Sequence, residues 1–150
     1  MSLGNIYTYI CGVIHNQVKN ILFTAKKIQA MVHELFYDDE NQVLVLRYNS
    51  HFQLIDVEPV FTLSRQLLEG KLYRQMVVVM SETHTIENRE TREATSKNLT
   101  GMNISEIAFV GGSAANRMIA RVLIKTGLLK LNGEFFKDYN DAINWLKSKR

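Results

Sequence analysis

Residues whose types and spacing suit chemistry fall in three places. In Ser81-Glu82-Thr83-His84-Thr85-Ile86-Glu87 an imidazole stands between two carboxylates. An imidazole titrates near neutrality, so His84 with Glu82 and Glu87 would suit acid–base work, or the stretch is a solvated loop. Gly111-Gly112-Ser113 follows an apolar run and precedes a helical pattern. Its backbone N–H groups could receive an anion with Arg117 beside them, or the glycines simply make a close turn before an ordinary cap. Arg117 and Arg121 are one helical turn apart and would either clamp a phosphate or carboxylate or form the wet side of a helix.

Other chemistries lack their motifs. Neither G-x-x-x-x-G-K-[ST] nor G-x-G-x-x-G occurs, and Ser81, Ser105 and Ser113 lack a G-x-S-x-G elbow. The four histidines, His15, His33, His51 and His84, have no ligand spacing, and the single cysteine, Cys11, allows neither a disulfide nor a cysteine-based zinc site. No metal, cofactor or catalytic activity is expected. A net charge of +3 with dispersed basic residues gives no reason to expect nucleic acid. Lys147-Ser148-Lys149-Arg150 reads as a solvated helix end that complements the dipole.

The elements that position these residues follow from periodicity. Lys27–Tyr37 and Gln42–Tyr48 read as strands around the turn Asp38-Asp39-Glu40-Asn41. In the second, Val43, Val45 and Arg47 face one way and Leu44, Leu46 and Tyr48 the other, so both faces are apolar and helices on both sides are expected. Asp56 reads as the cap of a helix with Pro59 in its first turn, Val57, Val60, Phe61, Leu67 and Leu68 inward, and Gly70 as its stop. Met76–Met80 is a buried strand. A polar loop with Thr85 as N-cap and a short charged helix to about Leu99 follow, then the strand Ile107–Val110. Ser113 caps a helix whose stripe reads as Ala115, Met118, Ile119, Val122 and Leu123. Glu134–Lys137 is a last strand, and Asp138 with Asp141 opens a final helix lined by Ala142, Ile143, Trp145 and Leu146. The expected class is α/β: a mixed, mostly parallel sheet with an N-terminal antiparallel hairpin and helices on both faces.

The strand M-V-V-V-M, the run I-A-F-V-G-G-S-A-A-N-R-M-I-A-R-V-L and the ending E-F-F-K-D-Y-N-D-A-I-N-W-L, in this element order, resemble the STAS-like family of anti-sigma-factor antagonists and the small bacterial proteins grouped with it. The resemblance spans roughly residues 27–150. It implies a STAS-like domain that regulates by binding a partner protein at the loop and helix start after the central strand, here Thr83, His84, Thr85, Glu87 and Arg89. The family's switch hydroxyl sits there in an Asp-Ser/Thr-Ser-Gly type motif. Ser81–Glu90 has neither Asp-Ser nor glycine, and a phosphate would meet Glu82, Glu87 and Glu90, so no phospho-switch is expected. The alternative is a small-ligand or lipid-binding domain with an apolar pocket beside the sheet, since related α/β folds enclose such pockets.

Residues 1–26 stand apart as an N-terminal extension. Met1-Ser2-Leu3 looks vector-derived. Ile10, Val13, Ile14, Val18, Ile21 and Leu22 keep helical spacing, and Asn16, Gln17, Lys19 and Asn20 make the segment too polar for membrane insertion. A lone amphipathic helix is marginal in water, so it is expected to build a homodimer. Cysteine usage suits the cytoplasm.

Overall fold

The computed structural model describes residues 32–83, 85–126 and 131–150. The expected N-terminal helix and His84 lie outside them, as does Gly127, which the sequence offers as the stop of the helix that Ser113 caps. The sheet has strands β1 (Glu34–Asp38), β2 (Val43–Arg47), β3 (Gln75–Met80), β4 (Glu106–Gly111) and β5 (Asn132–Phe136). The helices are α1 (Leu54–Leu67), α2 (Arg89–Gly101), α3 (Ala114–Lys125) and α4 (Tyr139–Lys147). The α/β class with helices on both faces is as the sequence implies.

Strand order follows chain order, β1 to β5. β1 runs antiparallel to β2, Phe36 opposite Val45, and the remaining neighbours are parallel. Each crossover from β2 to β5 advances one strand in the same direction. Right-handed connections therefore put α1, α2 and α3 on one face of the sheet. α4, after the last strand, covers the other. There Ala142, Ile143 and Leu146 pack against Val43, Val45, Val77, Ala108 and Val110 in a closed core, with Trp145 at its edge.

Several boundaries differ from the sequence reading. α1 has Gln53 as its N-cap, and Asp56 acts from the third helical position by accepting the Gln53 backbone N–H at 2.8 Å. Pro59 is thus beyond the first turn. Its missing N–H forgoes the bond to the Ile55 carbonyl, which water can replace because Ile55 is exposed. The N-cap of α2 is Asn88, not Thr85; its side chain accepts the Thr91 N–H at 2.9 Å. α2 runs two residues past Leu99 and ends at Gly101. The C-terminal basic residues are not merely solvated: Lys147 Nζ reaches Asn41 Oδ1 at 2.7 Å and Arg150 reaches the Asn41 carbonyl at 2.6 Å, tying α4 to the β1–β2 turn.

The largest correction concerns α3. Met118 and Val122, expected against the sheet, are 65% and 52% exposed, and Ala115 is exposed as well. The inward side carries Asn116, Ile119 and Ala120, with Ile124 against Gly133 of β5. That is a rotation of one residue, roughly 100°. Arg121, read as part of a clamp or of the wet side of the helix, is exposed, with its guanidinium 5.1 Å from the Phe135 ring centre.

Candidate functional site

The start of α3 is fixed by its turn. Gly111 and Gly112 have φ of 74° and 80°, and a Cβ on either would come within 2.9 Å of Met80. Only glycine fits that conformation and that approach. Ser113 then caps α3, its hydroxyl accepting the Asn116 N–H at 3.2 Å, as expected. Arg117 turns back to donate to the Gly112 carbonyl. The proposed anion group is therefore together in space, but its cation is already engaged by a neutral acceptor and Arg121 is engaged by Phe135.

The loop after β3 is held by a short parallel pairing. The Phe52 N–H donates to the Thr85 carbonyl at 2.9 Å and the Glu87 N–H to the Phe52 carbonyl at 3.0 Å, around an Ile86–Phe52 bridge. The Thr85 N–H also donates to His51 Nδ1 at 3.2 Å. Thr83 lies outside this clamp, its hydroxyl 3.0 Å from that of Ser81. Gln53 Nε2 contacts Glu87 Oε1 at 3.4 Å, and Arg89 Nε bonds Glu93 Oε1 at 2.7 Å on the exposed side of α2. Thr83, Glu87 and Arg89 share an exposed rim, whereas Thr85 and Ile86 are half-buried.

Thr85 and Ile86 border an apolar pocket of about 60 Å³. That is several times the roughly 10–15 Å³ that admits one water. Its floor is the face of the sheet opposite α4: Leu46, Met76, Val78, Ile107 and Phe109. Phe52 and Phe61 close one side. Arg92, Thr95, Ser96 and Leu99 of α2 face Asn116, Ile119 and Ala120 of α3 across it. Tyr48, Met80, Thr85 and Ile86 complete the lining.

The pocket has a cause in the composition of α2. A helix between two parallel strands must lie on the sheet, yet α2 reads R-E-T-R-E-A-T-S-K-N-L-T-G. Its buried residues are Thr91, Thr95 and Leu99, so two of the three are short. Thr95 is accommodated because its hydroxyl donates to the Thr91 carbonyl at 2.7 Å. Small side chains where a crossover helix ordinarily brings leucine or isoleucine leave the space unfilled. This polar inward face was the available signal. The sequence reading registered α2 as charged and missed Tyr48, Arg92 and Asn116 as lining residues.

Tyr48 stacks on Phe52 with ring centres 5.3 Å apart and tilts against His33 at 5.6 Å. Burial pushes its phenol well above the usual range, so the hydroxyl keeps its proton and is a donor. Among the described residues no group of three or more His, Cys, Asp or Glu is placed to hold a metal, and no helix is long and apolar enough to cross a membrane.

The model of a family described as a domain of unknown function, DUF7793, matches residues 36–150, from β1 to the last residue of the sequence. The chain belongs to that family. No curated protein and no solved structure matches it.

Proposed function

We propose that this member of the family is a non-catalytic binding domain whose ligand is small and largely apolar and sits between α2, α3 and the sheet. The carrying observation is the pocket itself: an apolar floor, with polar groups confined to a few positions on its helices and rim. That distribution is usual for small-molecule sites. The closed core under α4 contrasts with it, so the space is local to the face carrying α2 and α3. The element order supports a likeness to STAS-like regulatory domains, with ligand occupancy taking the place of the phospho-switch.

The sheet supplies its own control for the test. Methyl NMR of the full chain titrated with octan-1-ol should shift Leu46, Val78, Ile107 and Ile119, which line the pocket, and leave Val43, Val45 and Val77 still. Thr95→Leu fills the space and should abolish those shifts. No shifts, or equal shifts on both faces, would sink the reading. Burial contributes roughly 0.8 kcal/mol per methylene, so about five methylenes give about 4 kcal/mol, which alone is only millimolar affinity.

A second reading is partner-protein binding in a cytoplasmic setting through the rim after β3, supported by the exposure of Thr83, Glu87 and Arg89. A homodimer through residues 1–26 belongs with it. Light scattering of a chain lacking those residues tests the dimer; an unchanged mass would remove it.

A further inference from the structure

We infer that the ligand is an amphipathic anion, a single alkyl chain ending in a carboxylate or phosphate monoester, with its chain in the apolar pocket and its head on Arg92. The inference rests on the pocket reading above and adds the charge and chemistry of the head group.

Arg92 is the single charged residue among the described lining residues. It is half-buried, so its position is not that of a freely solvated surface side chain. Its side chain makes no ion pair, hydrogen bond or ring contact with any described residue. Every other arginine is engaged. Arg47 and Arg89 meet carboxylates, Arg65 meets Asn98, and Arg74 and Arg117 meet backbone carbonyls. Arg121 lies over Phe135, and Arg150 bonds Gln75 and covers Tyr73. A guanidinium with no partner among the described residues, beside an apolar cavity, carries a desolvation cost that an anion would offset.

Location strengthens the point. Arg92 is the fourth residue of α2, near the helix start, where the backbone dipole disfavours a cation and favours an anion. A structural role on the outer face would be better served by a carboxylate, as at Glu90 in the same turn. The guanidinium has five donors in a planar fork that matches two oxygens of one head group. The Tyr48 hydroxyl, also in the lining and without a hydrogen bond to any described residue, is a further donor. The short cavity suits a medium-length chain rather than a long acyl tail.

The test compares octanoate, octyl phosphate and octan-1-ol, which share one chain, by NMR titration of the full-length protein and its Arg92→Gln and Arg92→Lys variants. A charge-assisted contact should make at least one anion bind about tenfold or more tightly than the alcohol. The preference for anion over alcohol, measured within each variant, should collapse in Arg92→Gln and partly survive in Arg92→Lys. The better anion identifies the head group. Equal affinity for alcohol and anions, or a preference that survives Arg92→Gln, overturns this inference while leaving the apolar pocket standing. Binding of none of the three removes both.

Discussion

His33 Nε2 lies 3.2 Å from Asp56 Oδ2, and the same carboxylate oxygen accepts the Gln53 N–H at 2.8 Å. One side chain thus joins the start of α1 to the segment entering β1. His33 is 3% exposed and its Nδ1 is buried without a hydrogen-bond partner among the described residues. With Nε2–H donating to Asp56, Nδ1 leaves only a lone pair unmet. Asp56→Ala would orphan the buried N–H and remove the acceptor of the Gln53 N–H together. It should cost about 2–4 kcal/mol in urea unfolding, and Asp56→Asn, which keeps an acceptor, less than half of that. Equal losses would show that charge rather than acceptance matters.

The turn before α3 separates two kinds of strain. Gly111→Ala would bring Cβ to the Met80 carbonyl oxygen, and Gly112→Ala would bring it to the Met80 side chain, both at positive φ. A side chain can swing away and a strand carbonyl cannot. Gly111→Ala should therefore lose about 2–3 kcal/mol by denaturant unfolding and Gly112→Ala about 1–2. The reverse order would mean that Met80 cannot move.

The two sides of the sheet give a packing contrast. Met118→Ala, at an exposed position of α3, should change stability by less than about 0.5 kcal/mol. Ile143→Ala, in the closed core under α4, should cost about 2–5 kcal/mol. A comparable loss at Met118 in the isolated chain would restore the helix face that the sequence implied.

Asp38 gives an acid-side prediction. Burial works against its carboxylate, but the Asn41 side-chain and backbone donors, the Glu40 N–H and the Tyr139 hydroxyl together outweigh it and hold the group below its usual value. A depressed folded-state value adds stability that is present above the ordinary carboxylate range, near pH 4, and is lost as pH falls through the folded value. The stability of Asp38→Asn should accordingly fall less steeply below about pH 4 than that of the unaltered chain. Parallel acid profiles would show that Asp38 is not a source of the loss.

The sequence by itself determined the elements and most of the class. Alternation on both faces of Val43–Leu46 required helices above and below, the Val77–Val79 run named a central strand, and Ala142, Ile143 and Leu146 marked the inward side of α4 correctly. These are local signals, carried by period and residue type. The inward side of α3 was not local. Its apolar residues spread around the helix, so the stripe through Met118 and the one through Ile119 and Ala120 were both available. What selected between them is the contact of Ile124 with Gly133 and of Arg121 with Phe135, residues of a strand that follows the helix. The pocket is likewise tertiary. Thr95 and Arg92 read as ordinary residues of a charged helix until the crossover lays that helix on the sheet opposite Ile107 and Phe109, where short side chains leave room and the Arg92 guanidinium borders it.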